Sequence, residues 1–190
     1  MNKCPWALSS PVEEHYHDTE WGVPVHDDRL LFEFLILEGA QAGLSWATVL
    51  NKRAGYQQAF DQFDVQKIAQ YNEQKQQALI TNPEIIRNKL KIKSAVTNAQ
   101  AFIKIQQEYG SFDRYIWSFL NGQTINNTWQ RMEQVPAITG ESDLMSRSLK
   151  KHGFKFVGST ICYAYMQATG MVNDHLISCP RHQQISVGRT

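Results

Sequence analysis

Apolar side chains recur at three- and four-residue spacing along nearly the whole chain, and no stretch alternates apolar with polar as a half-buried strand would. This periodicity restricts the chain to packed helices. Asp27 or Asp28 can cap a helix in which Leu31, Phe34, Leu35 and Glu38 fall on one face. Ser45 can cap the next, with Trp46, Val49 and Leu50 inward and Gly55 near its end. Asn82-Pro83 has the form of an N-cap followed by proline and predicts a long helix through Ile86, Leu90, Val96, Ala99 and Phe102 to about Gln107. Ser111 precedes Phe112, Tyr115, Ile116 and Phe119, again at helical spacing. Ser142 opens a basic amphipathic helix ending near His152, with Gly153 as its left-handed terminus. Ile161, Ala164, Tyr165 and Ala168 make a last stripe that stops at Gly170. Asn121 to Gly140 reads as a loop with room for one short helix. The expected fold is all-α, one domain over 1–190 with less regular termini at about 1–26 and 171–190.

Composition narrows the classes further. With 42% hydrophobic residues, 19% charged residues and five tryptophans in 190 residues, the chain is neither disordered nor of low complexity. No apolar run approaches the roughly 18 to 20 residues that cross a bilayer. The N-terminal segment has no secretory pattern, so the expectation is a soluble, cytoplasmic protein without a membrane partner. A net charge of +1 speaks, taken alone, against a polyanion partner. Residues 1–45, however, hold Lys3 and Arg29 against eight acids, while the other 145 residues hold 17 basic against 10 acidic side chains. A neutral total therefore leaves room for a basic face, although such runs are more often solvated helix surface.

Three constellations carry chemistry. Cys4 and His17 near one end, with His175 and Cys179 near the other, supply two thiolates and two imidazoles, the closed four-ligand set of a structural zinc site. His175 and Cys179 would share a face if helical, and Asp18 and Asp174 adjoin the histidines as candidate outer partners. Two ordinary thiols and two surface imidazoles are the alternative. Cys162, in an apolar segment, reads as a core thiol. Glu38 on the core side of its helix requires a partner or a function, because an unpaired buried carboxylate is costly. Small residues Gly39, Ala40, Ala42 and Gly43 follow it, and Tyr16, Trp21 and Trp46 are candidates for an aromatic cage. A cage with one acid suits a flat cationic ligand; plain core packing is the competing reading. Finally, Lys150 to Thr160 reads as helix, a turn between Gly153 and Gly158, and helix. Its amides and lysines 150, 151 and 155 suit a phosphate, though a plain helical hairpin fits equally. No phosphate-loop or dinucleotide fingerprint occurs, and no nucleotide cofactor is expected.

CysProTrp at 4–6, TyrHisAspThrGluTrpGly at 16–22, LeuGluGlyAlaGlnAlaGlyLeuSerTrp at 37–46, GlyPheLysPheValGlySerThrIleCysTyr at 153–163 and AsnAspHis with Cys179 together resemble the 3-methyladenine DNA glycosylase I family, in order and across essentially the whole chain. The resemblance implies a helix-hairpin-helix glycosylase fold, one structural zinc ion, and hydrolytic excision of 3-methyladenine from alkylated double-stranded DNA by a monomer. By position it implies Cys4, His17, His175 and Cys179 as zinc ligands and Glu38 as the carboxylate that recognises the base and serves catalysis. It also implies Tyr16 and Trp46 as aromatic neighbours of the base, with Trp21 beside them. Gly153, Lys155, Gly158, Ser159 and Thr160 fall in the DNA-gripping hairpin.

Two departures stand out. SerProValGlu at 10–13 puts Glu13 where relatives carry a tyrosine, and PheLysPheVal fills a hairpin turn that is LeuProGlyValGly-like elsewhere. No acid follows the hairpin before Asp174, so no general base is assigned. No lysine in that stretch suits a Schiff base, so no lyase activity is expected. The competing readings are a non-catalytic zinc-stabilised DNA-binding module and, with an open metal position, a zinc hydrolase.

Overall fold

A computed structural model describes residues 2–187; Met1 and residues 188–190, which fall within the expected terminal segments, lie outside it. Ten α-helices are described: α1 (Pro11–Thr19), α2 (Asp28–Gln41), α3 (Trp46–Ala59), α4 (Val65–Ile68), α5 (Glu73–Thr81), α6 (Lys89–Tyr109), α7 (Phe112–Trp117), α8 (Gly140–Lys151), α9 (Ser159–Ala168) and α10 (Pro180–Val187). Two strands, β1 (Ile125–Asn126) and β2 (Val172–Asn173), pair in parallel with Ile125 opposite Val172. They tie the otherwise irregular 121–139 segment to the stretch leading into His175.

α2 is the axis of the molecule and packs against α3, α6, α7 and α9. Every residue from Leu31 to Ala40 is buried, so this helix is enclosed on all sides instead of showing one apolar face. Two carboxylates, Glu33 and Glu38, consequently sit inside the core. Asp27 is the cap, accepting from Leu30 N at 2.8 Å. Asp28 reaches across the fold and accepts from the Phe112 and Asp113 amides that open α7.

The hydrophobic spacing places α3, α7 and α9 well and misplaces two starts, those of α6 and α8. Asn82 does not open the long helix. It ends α5, and its side chain accepts from Glu84 N two residues on, so Pro83 sits in a turn. The helix begins at Lys89, where the Asn88 side chain accepts from the Leu90 and Lys91 amides. α8 starts at Gly140 under a Thr139 cap, with Ser142 as the reciprocal member of the capping box. The N-terminal segment is more ordered than expected, holding a 3₁₀ turn over Pro5–Ser9 and then α1 under a Ser10 cap. Gly170 takes φ +68°, and a Cβ there would lie 2.3 Å from backbone atoms of Val23 and Pro24, so glycine lets the N-terminal chain cross β2's approach.

Candidate active site

Tyr16, Glu38 and Trp46, each on a different helix, line a cavity of about 240 Å³. Tyr16 comes from α1, Glu38 from α2 and Trp46 from α3, and Trp21, Trp6, Gln41, Met132, Ala164 and Gln167 complete the wall. The Tyr16 and Trp46 rings lie 5.5 Å apart between centroids, and Trp6 meets Trp21 edge-on at 5.0 Å. All four base-site residues singled out in the sequence are thus brought together. Sequence reasoning missed Trp6, although it stands in the CysProTrp block, and Met132 and Gln167, whose spacing from Glu38 carries no signal.

The two core carboxylates of α2 differ in the way that matters. Glu33 Oε1 accepts from Arg53 Nε at 2.7 Å and from Gln57 Nε2 at 3.0 Å. No hydrogen bond or ion pair reaches Glu38 among the described residues, and it is only 4% exposed. Burial pushes its carboxyl up to about 8. The Tyr16 hydroxyl and the Trp46 indole N–H are also buried without partners. Burial first, then the Glu38 charge, holds the Tyr16 phenol well above its ordinary value. An acceptor, a hydroxyl and a donor left open around one cavity form a site shaped for a polar, flat guest. Glu13 has no place in it: the side chain accepts from Ser10 Oγ at 2.9 Å and serves the α1 cap.

Behind the aromatic wall lies a buried cluster of Cys4, His17, His175 and Cys179, whose donor atoms all fall within 4.8 Å of one another, a set able to hold one metal ion. Asp18 Oδ1 lies 2.8 Å from His17 Nδ1, and the Trp21 carbonyl lies 3.0 Å from His175 Nε2. Both partners are acceptors, so each ring carries its proton there and turns a lone pair inward. Those inward nitrogens stand 3.1 Å apart, with the Cys179 sulfur 3.6 Å from one and 3.8 Å from the other. Two facing lone pairs and two sulfurs at such distances call for a cation between them. Burial pushes the Cys4 thiol up to about 12 and the His175 imidazole down to about 3, so without a cation these two groups are neutral. Two expectations are corrected. His175 and Cys179 lie on a turn, not one turn of helix, and converge because Cys179 N bonds back to Leu176 O. Asp174 supports neither histidine; it accepts from Asn127, Trp129, Tyr163 and Gln167.

The turn between α8 and α9 is held from α6. Asn98, itself buried, accepts from Lys155 N at 2.8 Å and donates to Lys155 O at 3.0 Å, and the next residue, Phe156, takes φ +57°. The Lys155 amide is therefore occupied, while its side chain is exposed. Gly153 has φ +95°, and Gly158 begins α9 with no side-chain cap over Ser159 and Thr160. Lys91 is not free either: its ammonium donates to the Ala40 and Ala42 carbonyls that end α2. Cys162 is a buried core thiol, as expected.

Fold and cavity define a class: a helical protein with a cavity that sets aromatic rings beside a buried acid. The sequence profile of the methyladenine glycosylase family matches residues 6–182, and the chain belongs to that family. It is 45% identical over 179 residues to DNA-3-methyladenine glycosylase 1 of Escherichia coli (strain K12), across 94% of this chain and 96% of the relative. The structure of 3-methyladenine DNA glycosylase I from Staphylococcus aureus, described as the basis of 3-methyladenine recognition, superposes with a TM-score of 0.92 at 37% identity, over 95% of this chain and 96% of that one. A variant 3-methyladenine DNA glycosylase I solved in complex with 3-methyladenine superposes with a TM-score of 0.91 at 36% identity, over 95% and 97%.

Proposed function

We propose that this protein is a DNA base-excision glycosylase that extrudes 3-methyladenine from alkylated duplex DNA and hydrolyses its N-glycosidic bond, leaving an abasic site. The observation that carries the reading is the unpartnered Glu38 carboxylate inside an aromatic cavity. A methyl group on N3 makes the adenine cationic, so ionised Glu38 holds it by charge-assisted hydrogen bonds that neutral adenine cannot return in full. Tyr16 and Trp46 stack on the flipped base, and Trp21 backs the wall. Extrusion costs a few kcal/mol and is cheapest for a damaged base, which adds to selection. Departure of a neutral base from a cationic nucleoside needs little further help, and water completes the reaction at C1′ without a covalent intermediate. A duplex oligonucleotide carrying one 3-methyladenine is expected to release free base while its strand stays intact until alkali is added. Binding without release would leave only a DNA-binding module.

On this reading the α8–turn–α9 unit is the helix-hairpin-helix that grips the DNA backbone. The open amides at Gly158, Ser159 and Thr160 take phosphate, Gly153 shapes the turn, and Lys155 adds its side-chain charge. Lys155→Ala is expected to weaken binding equally for undamaged and methylated duplexes and to lower the slope of log K against log salt by about 1. An unchanged slope would remove Lys155 from the interface. The metal is zinc, held by Cys4, His17, His175 and Cys179. Two thiols and two imidazoles whose donor atoms lie within 4.8 Å of one another suit zinc, which takes such a donor set in structural sites. Four protein ligands close the shell, so zinc supplies structure, not a reactive water, and a zinc hydrolase is disfavoured. The protein acts as one cytoplasmic domain and as a monomer. No helix among the described residues is long and apolar enough to cross a membrane.

A further inference from the structure

Tyr16, Glu38 and Trp46 stand on three different helices, so their mutual spacing depends on how those helices are held together. One side chain joins all three. Arg53, on α3 two turns beyond Trp46, donates from Nε to Glu33 of α2 at 2.7 Å and from a terminal nitrogen to Glu20 at 2.6 Å. Glu33 lies on the helix that carries Glu38, and Glu20 caps the helix that carries Tyr16, its amide bonded to the Tyr16 carbonyl. The same guanidinium stands 5.2 Å from the centroid of Phe34, whose ring meets Tyr16 at 6.5 Å. Glu33 is fully buried and Arg53 nearly so, with side-chain exposures of 0% and 16%. A planar fork with several donors can hold two carboxylates at once; an ammonium at the end of a flexible stem cannot hold that geometry.

We propose that Arg53, through Glu20 and Glu33, is a positioning residue that sets the separation of Tyr16, Glu38 and Trp46. It touches no substrate, and its effect reaches the base through the three helices. The proposal rests on the reading of the cavity as the base site. The test titrates free 3-methyladenine against tryptophan fluorescence in the full-length, metal-loaded protein. Arg53→Lys should weaken base binding by about 10-fold, the order of a lost hydrogen bond to a charged group. Because that change leaves Glu33 poorly paired and can impair folding, the deciding variant is Glu20→Gln, which opens only the partly exposed arm toward α1. Glu20→Gln is expected to weaken base binding by about 5-fold, with melting temperature and affinity for undamaged duplex unchanged. If the arm works through Tyr16, adding Glu20→Gln to a Tyr16→Phe background costs less than about 2-fold, a non-additivity that general loosening does not produce. Multiplying effects in that cycle, or full base binding by Glu20→Gln, overturns the positioning role. A wild-type protein that takes up no 3-methyladenine overturns instead the base-site reading, and this proposal with it.

Discussion

Glu38→Gln is expected to lower excision of 3-methyladenine by about 100-fold, the upper end of a hydrogen bond to a charged group, and at the same time to raise the melting temperature at neutral pH. The two changes have one cause. The carboxylate is buried, reached by no donor among the described residues, and its pKa rises from 4.5 to about 8 on folding. Between those values the folded state binds a proton that the unfolded state has released, so this group's contribution to stability is lost as pH rises across that window. Glutamine stays neutral throughout. The variant's advantage should therefore be near zero at pH 4, grow as pH rises, and reach several degrees by pH 8, as thermal scans at a series of pH values will show. Excision runs the other way, because a cationic base requires the ionised acid. Wild-type kcat/KM, which reports the free enzyme, should climb with pH through an apparent value near 8. A variant less stable than wild type at pH 8, or one that still excises at the wild-type rate, would remove Glu38 from this role. On the proposed function such an unpaired carboxylate is tolerated for its use in the site, the usual exchange of stability for activity.

Stripping the metal with a chelator should lower the melting temperature by about 15 °C, taking about 5 kcal/mol lost and about 3 °C per kcal/mol for a chain of this length. Cys4 and His17 are more than 150 residues from His175 and Cys179, so an ion held by all four would close a loop of most of the chain and anchor ends that otherwise fray. The effect should extend to the base site. Trp6 follows Cys4 by two residues, Tyr16 precedes His17, and the Trp21 carbonyl orients His175 at 3.0 Å. Tryptophan emission should therefore change on chelation even below the melting transition, and zinc should restore it. His17→Ala should reproduce the loss in stability and abolish the response to chelator. Unaltered melting after verified metal removal would show that the four side chains hold the termini together without an ion.

How far the sequence reached can be judged from particular residues. The caps at Ser45 and Ser111 and the glycine at 153 are local features, each acting on its own helix, and the structure places them as spacing predicts. Asn82-Pro83 failed for an equally local reason: the same pair serves as the end of one helix followed by a turn, and α5, with few apolar residues, gave no periodicity to signal that a helix had preceded it. The four metal-site residues were legible because thiols and imidazoles are few and their chemistry restricts what they can do together.

Sequence alone determined that the chain is helical, that an acid stands at position 38 on the core side of a helix, and that two Cys/His pairs occupy opposite ends. These follow from spacing and residue chemistry, which are properties of short segments. Tertiary structure decided the rest. It pairs Glu33 with Arg53 and leaves Glu38 alone, gives Asp18 to a histidine and Asp174 to four other donors, and occupies the Lys155 amide with Asn98. Whether a buried polar group finds a partner depends on which distant helix lies across from it, and that is fixed only when the helices pack.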